Sequence, residues 1–139
     1  MIKRTEQLIE LIYYSFPLRT FREADIHRML SLIRPKNQAM DVTGMLLYAN
    51  QQFLQVLEGR RQDVNHIFQS ISHDARHHDV NLVSVRNIQQ RNFDNWDMAF
   101  SGGDDITRLD AQENKADFSV RLLTPESALA LLTKQHGLN

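Results

Sequence analysis

The chain has 139 residues, of which 42% are hydrophobic and 24% are charged, and its formal net charge is −1. This length predicts one domain that buries roughly two thirds of its unfolded surface. The near-zero charge argues against nucleic acid or an anionic membrane surface as a partner. The absence of cysteine excludes disulfides, thiolate metal sites and cysteine nucleophiles. No apolar run reaches membrane-spanning length and the N-terminus lacks a signal-peptide pattern, so we expect a cytoplasmic protein.

The first predicted strand covers Leu8 to Tyr14, which is rich in Ile, Leu and Tyr. Ser15-Phe16-Pro17 is expected to end it. Strand alternation puts three side chains on one face (Ile9, Leu11 and Tyr13) and three on the other (Glu10, Ile12 and Tyr14).

A helix is predicted next, with Thr20 as its cap and Glu23 reaching back to complete a capping box. Its apolar stripe is expected at Ile26, Met29, Leu30 and Ile33. Because proline breaks helices, Pro35 is expected to stop it, which places Asn37 just beyond the helix.

Thr43 to Gly59 reads as two apolar strands joined by a polar turn at about Ala49 to Gln52, which predicts a β-hairpin. Both strands are apolar almost throughout, so both faces should be covered. Gln55 is the exception, because alternation places it on a packed face with Phe53 and Leu57. Neighbouring backbone groups or the polar edge of a ligand could satisfy its amide.

A second helix is predicted within residues 61–76, with an apolar stripe of Val64, Ile67, Phe68 and Ile71. A strand from Val80 to Ile88 follows, with Val83 and Val85 inward, and then a short strand around Trp96 to Phe100. The order β-α-β-β-α-β-β predicts an α/β (α+β) fold, a ferredoxin-like sandwich with both helices on one face of the sheet.

The tail is predicted to be helical in character from Asp104 onward, with a helix start at Thr124-Pro125. That helix is expected to have an apolar side of Ala128, Leu129, Leu131 and Leu132. The outer face of the sheet is expected to carry Ile12, Leu46, Leu54 and Val56. The tail helices, a second subunit, or both should cover that face.

Metal-dependent hydrolysis is one chemistry that the residues suggest. His73 and His77 are four apart and could chelate a metal on a helix. The same run lies at a probable helix end, where His and Arg favour the helix dipole, and no third ligand follows from the spacing. No Gly-x-Ser-x-Gly elbow and no Gly-rich phosphate loop is present.

A second possibility is a binding site built from Tyr13, Asn37 and Gln55. The phenol and the two amides could form hydrogen bonds with the edge of a planar ring that carries donors and acceptors. The apolar stripes of the two predicted helices could pack on the flat faces of the ring. The same three side chains could instead satisfy each other internally.

Five motifs occur in order along the chain and together resemble the BLUF domain, a flavin-binding blue-light sensor of the short, stand-alone type. They are Tyr13-Tyr14-Ser15, Asn37 with Val42-Thr43-Gly44, Phe53-Leu54-Gln55-Val56-Leu57-Glu58-Gly59, Asp74-Ala75-Arg76-His77, and Arg91-Asn92-Phe93-Asp94-Asn95-Trp96-Asp97-Met98. The resemblance implies a flavin-binding domain over residues 1–101 and a C-terminal helical extension over 102–139.

The resemblance also implies roles for single residues. Tyr13 matches the electron and proton donor, Gln55 the switch glutamine, and Trp96 and Met98 the residues linked to output. The implied flavin contacts are Tyr13, Met29, Asn37, Phe53, Gln55, Ile71, Asp74, Arg76 and His77. FAD is implied in preference to FMN.

The expected protein is therefore a photoreceptor without enzymatic activity, acting through an unknown downstream protein and forming a homo-oligomer. The residues leave two other classes open. One is a chromophore-free ferredoxin-like regulatory or oligomerisation module, and the other is the metal-dependent hydrolase built on His73 and His77.

Overall fold

One five-stranded sheet organises the protein, and its strands lie in the order β4-β1-β3-β2-β5. The computed structural model describes residues 7–94, 99–102 and 119–137. The strands are β1 (Leu8–Pro17), β2 (Thr43–Ala49), β3 (Gln52–Arg60), β4 (His77–Ile88) and β5 (Ala99–Gly102), and the helices are α1 (Glu23–Ala39), α2 (Arg61–Ser72) and α3 (Pro125–Gly137). The predicted order of elements and the ferredoxin-like sandwich are confirmed.

The β2–β3 hairpin lies at the centre of the sheet. Asn50 and Gln51 form its turn with φ angles of 51° and 60°, the left-handed pair that a two-residue type I′ turn requires. The turn sets the register, so that Leu46 lies opposite Gln55. The strands approach closely at Gly44, where a Cβ atom would overlap the carbonyl oxygen of Val56. Only glycine can occupy this position without moving the backbone.

Two hydrophobic cores lie on opposite faces of the sheet. α1 and α2 cover the inner face with Ile26, Leu30, Val64 and Ile67. α3 covers the outer face, where Ala128, Leu131 and Leu132 pack against strand residues Ile12, Met45, Leu47, Leu54 and Val56. The tail helix therefore provides the cover predicted for this face. Among the described residues, no helix is both long enough and apolar enough to span a bilayer.

The predicted start and end of the first helix are both wrong. Since α1 begins at Glu23, Thr20 is too far upstream to cap it, and instead the backbone N–H of Arg22 donates to Asp25 Oδ2 at 2.9 Å. The helix also continues through Pro35 to Ala39. Proline removes its own N–H from the helical hydrogen bonds and crowds the carbonyl group four residues earlier, which disfavours the helix without excluding it. The final turn is retained because Asn37 is buried and its carbonyl accepts from the backbone N–H of Val42 at 2.9 Å.

Two strand boundaries differ from the prediction. β1 continues to Pro17 because Phe16 and Pro17 still pair with His78 and His77 of β4. The predicted strand around Trp96 to Phe100 lies partly outside the described residues, and β5 runs parallel to β2 from Ala99.

Leu46 and Val85 were assigned to the wrong surroundings. Leu46 faces α1 and α2 because the register of the hairpin places it opposite Gln55. Val85 pairs with Leu11 but is 42% exposed, since β4 is an edge strand. A register shift between Ile12 and Tyr13 makes Val83 the extra residue of β4. Val83 packs against the outer-face core instead.

Candidate functional site

A pocket lies between the inner face of the sheet and the helices α1 and α2. Its empty volume is about 410 Å³, which includes the space open to solvent at its mouth. Its lining is Tyr13, Met29, Ile33, Leu46, Phe53, Gln55, Ile71, Asp74, Arg76 and His77. The structure thus brings together every residue of the predicted flavin-contact set except Asn37.

Tyr13 and Gln55 form a buried hydrogen-bonded pair at the bottom of this pocket. They are Cα partners on the adjacent strands β1 and β3, and the phenol of Tyr13 donates to Oε1 of Gln55. Burial raises the pKa of the Tyr13 phenol well above its usual range, and the negative charge of Asp74 raises it further. The phenol therefore keeps its proton at neutral pH and acts as a donor to the amide.

Asn37 lies in the last turn of α1, inside the helix that was expected to end before it. It is only 1% exposed, and its Nδ2 finds no hydrogen-bond partner among the described residues. A buried amide donor without a partner costs about 1–3 kcal/mol. This unpaired donor is the feature that a ligand with an acceptor on its edge would satisfy.

The pocket walls are apolar on both sides. Met29 and Ile33 come from α1, Ile71 comes from α2, and Leu46 and Phe53 come from the sheet. Ile33 and Leu46 were missed as pocket residues. The stripe of α1 contained the signal for Ile33, and the two-residue turn of the hairpin would have given Leu46 by register. Such walls suit the flat faces of an aromatic ring.

Charged and polar groups gather where α2 meets β4. Arg76 pairs with Asp74, whose Oδ1 accepts from the backbone N–H and from Nε of Arg76 at 2.8 and 2.9 Å. These hydrogen bonds hold the pKa of the Asp74 carboxyl below its usual range. The carboxylate and guanidinium therefore remain charged beside the pocket.

His77 is fixed by two hydrogen bonds. Its Nε2 lies 2.6 Å from the carbonyl oxygen of Ile71, and its Nδ1 lies 2.8 Å from Oγ of Ser15. Because a carbonyl only accepts, Nε2 carries the hydrogen, and the hydroxyl of fully buried Ser15 can donate to Nδ1. Ser15 was missed as a site residue although it follows Tyr13 and Tyr14 in a motif of the sequence.

The predicted geometry for a metal site is wrong. α2 ends at Ser72, so His73 follows the helix while His77 begins β4, and they are not one helical turn apart. His73 contacts the carbonyl oxygen of Gln69, and His77 is bonded as described above. Within residues 7–94, 99–102 and 119–137, no three His, Asp or Glu side chains are placed to hold a metal ion.

Trp96 and Met98, which were linked to output by resemblance, lie outside the described residues. The turn that precedes them, at Asn92 and Phe93, is described and lies against the outer face of the sheet.

Comparison with known proteins places these features among light sensors. The family model "BLUF: Sensors of blue-light using FAD" matches residues 8–99. The dark-state structure of the BLUF protein BlrB is similar with a TM-score of 0.79 and 26% identity, covering 96% of this chain and 97% of that one. The photo-activated state of BlsA, at 23% identity and a TM-score of 0.79 over 92% of this chain and 94% of that one, shows the same fold.

Two relatives are longer proteins. The blue light- and temperature-regulated antirepressor BluF of Escherichia coli (strain K12) is 28% identical over 127 residues, which are 88% of this chain and 31% of the relative. The photoactivated adenylate cyclase subunit beta of Euglena longa is 33% identical over 84 residues, which are 60% of this chain and 10% of that protein. The chain thus corresponds to about a tenth of the cyclase subunit and a third of the antirepressor.

Proposed function

The chain belongs to the BLUF family of blue-light sensors that use FAD, and from this premise we propose how it binds flavin and reports light. The flavin ring lies between the sheet and the helices α1 and α2, and the Tyr13–Gln55 pair is the photoactive group. The observation that carries this assignment is the buried hydrogen bond from Tyr13 to Gln55 at the bottom of the pocket.

The residues of the pocket match the chemistry of a flavin ring. Its flat faces would pack on the apolar walls formed by Met29, Ile33 and Ile71. Its polar edge offers acceptors to the unpaired Nδ2 of Asn37 and to the amide of Gln55. These two amides come from α1 and β3, so a ring that reached both would bridge the helix layer and the sheet.

FAD, rather than FMN, is the form that we propose. The family description names FAD, and the cationic guanidinium of Arg76 beside the pocket suits a phosphate chain. Asp74 and His77 would contact the same part of the ligand, while Phe53 would lie next to the ring.

A flavin that has absorbed blue light supplies a strong oxidant in this site. Tyr13 holds its phenolic proton toward Oε1 of Gln55, so the phenol that would donate the electron and proton is already aligned with the amide. Rotation or tautomerisation of the Gln55 amide exchanges its donor and acceptor positions with little change in volume. In a buried pocket, such an exchange is worth on the order of 1 kcal/mol or more.

Signalling would pass through the sheet to other proteins. Leu54 and Val56, the neighbours of Gln55 on β3, face the opposite side and pack in the core that α3 closes. A change at Gln55 can thus bias the outer face, with Trp96 and Met98 as further output residues. We propose a sensor without enzymatic activity, with a flavin domain over 1–101, an extension over 102–139, a downstream protein partner and a homo-oligomeric state.

The decisive experiment uses the purified full chain and a single amide. The protein should be yellow, and blue light should shift its absorption reversibly to the red. Gln55→Leu should retain the flavin and lose the red shift, whereas the control Gln62→Leu, on the exposed face of α2, should behave like the unmodified protein. A red shift that survives in Gln55→Leu would refute the switch.

The identity of the cofactor is tested separately. Denaturing the yellow protein and separating the released pigment by chromatography should give FAD. Release of FMN alone would refute the FAD assignment and leave the role of Gln55 untouched.

A further inference from the structure

Two buried carboxyl groups face each other on the outer side of the sheet, away from the flavin pocket. Glu10 of β1 and Glu58 of β3 are Cα partners in the antiparallel register, and they are 1% and 0% exposed. Two carboxylates placed this close in a buried site disfavour simultaneous ionisation. The function proposed above uses neither of them.

The two carboxyl groups have different partners. Arg86 of β4 binds Glu10, with Nε 2.8 Å from Oε1 and the NH2 nitrogen 3.3 Å from Oε2. The Oε2 atom of Glu58, by contrast, has no hydrogen-bond partner in the part of the chain that the structure describes. Glu10 therefore has a cationic partner, whereas one oxygen of Glu58 is buried without a partner among the described residues.

The other oxygen of Glu58 holds a turn. Oε1 accepts hydrogen bonds from the backbone N–H groups of Asn92 and Phe93, both at 2.9 Å. Phe93 itself is fully buried in the outer-face core. The turn leads from β4 into the segment that contains Trp96 and Met98 and then into β5. Glu58 holds the beginning of that segment together with Arg91, which donates to Thr43 and to two backbone carbonyls, and with the contact of Asn92 Nδ2 to Glu10.

We propose that Glu58 is a proton-responsive positioning residue, which holds the Asn92–Phe93 turn tightly when ionised and loosely when protonated, and so sets the rate at which the illuminated protein returns to its dark state. The effect of the protonation of Glu58 on the Asn92–Phe93 turn does not depend on the proposed photoreceptor function. The effect on the rate of dark recovery rests on the proposed photoreceptor function. Gln55 lies three residues before Glu58 on the same strand, so its rearrangement would be transmitted along β3.

The charges around Glu58 place its titration near neutral pH. Glu10 faces it from β1, Arg86 lies beyond Glu10 on β4, and Arg91 lies in the turn. Burial, followed by the charge of Glu10, raises the pKa of Glu58 to about 7, against the hydrogen bonds from the turn and the charge of Arg91. Ionisation therefore occurs between about pH 6 and 8, and hydrogen bonds to a charged acceptor are about twice as strong as neutral ones.

The turn is tested by NMR on the unmodified chain. The amide proton shifts of Asn92 and Phe93 should titrate with a midpoint near pH 7, and their protection from hydrogen exchange, corrected for the intrinsic rate, should rise about fivefold to tenfold from pH 6 to pH 8. Amide shifts that stay constant from pH 5.5 to 8.5 would overturn the proposal. This titration needs no variant, so it remains decisive if Glu58→Gln fails to fold.

The photochemical half is tested by dark recovery after a blue-light pulse. In the unmodified protein, the recovery rate should change about threefold to tenfold between pH 6 and 8, with the same midpoint as the amide shifts. Glu58→Gln should keep the red shift and lose this pH dependence. The control Glu126→Gln, an exposed residue at the start of α3, should retain it.

The two proposals fail in distinguishable ways. A protein that shows no red shift refutes the photoreceptor mechanism, while the NMR titration of the turn stands by itself. A normal red shift whose recovery titrates equally in Glu58→Gln and in the unmodified protein refutes only the role of Glu58. In that outcome, the pH dependence would come from a group other than Glu58.

Discussion

The unpaired amide of Asn37 makes a sharp prediction, because removing it should affect the flavin-free and flavin-bound proteins differently. Leucine has nearly the shape of asparagine and carries no donor. In the flavin-free protein, Asn37→Leu removes a buried donor that costs about 1–3 kcal/mol. The free energy of unfolding of the flavin-free variant should therefore rise or stay within about 1 kcal/mol of the unmodified value.

Flavin binding should weaken in the same variant. An acceptor on the ring edge would then be buried opposite a methyl group, at a cost of about 1.4–2.8 kcal/mol, which is about a 10-fold to 100-fold loss of affinity. Flavin fluorescence quenching measures the affinity, and urea denaturation of the flavin-free protein measures stability. Gln38→Leu, the exposed neighbour on α1, is the matched control.

Two outcomes would refute this account of Asn37. Unchanged flavin affinity would mean that the amide does not reach the ligand. A loss of more than about 2 kcal/mol in the flavin-free variant would mean that the side chain already has a structural partner.

Two further predictions concern the outer core and the phenol. Leu132→Ala, at a fully buried position of α3, should lower the free energy of unfolding by about 2–5 kcal/mol in urea denaturation. The control Leu122→Ala, at an 81% exposed position, should change the free energy of unfolding by less than about 0.5 kcal/mol. Equal effects of the two variants would mean that α3 does not cover the sheet. Because burial and Asp74 raise the pKa of Tyr13, its protonated form persists to higher pH, so the amplitude of the light-induced red shift should stay constant from pH 7 to 10. An ordinary phenol is about half ionised at pH 10, so a halved amplitude there would contradict the assignment.

The alternation of side chains predicted the faces of β1 and β3 correctly. Tyr13 and Gln55 were placed on one buried face from their parity alone, and the structure pairs them across adjacent strands. This inference succeeds because the side-chain period of a strand is two, so a single buried neighbour fixes the whole face.

The errors have physical causes that a local pattern does not contain. Leu46 was misplaced because the face of β2 depends on the register set by the turn at Asn50 and Gln51. Val83 was misplaced because a bulge interrupts β4, and Val85 was misplaced because β4 is an edge strand on which this side chain remains 42% exposed. Pro35 did not end α1, because tertiary burial of the following turn outweighs the missing hydrogen bond.

The residues of the candidate site were also predicted only in part from the sequence. Family resemblance named the residues of the pocket, but spacing alone suggested metal binding for His73 and His77, since it could not show that α2 ends between them. The roles of Ser15 and Glu58 depend on partners far away in sequence, at His77 and at the turn after β4. Such long-range pairs become visible only in the folded chain.

The placement of α3 has a consequence for anyone who shortens or fuses this protein. The sheet is a single layer with the proposed flavin pocket on one side and the tail helix on the other. Cutting the chain after β5 would therefore expose Met45, Leu47, Leu54 and Val56 as one continuous apolar surface. A fused domain that replaces α3 must supply apolar side chains that cover the same strand residues. We therefore expect that a chain without α3 would aggregate, even if every residue of the proposed flavin site were unchanged.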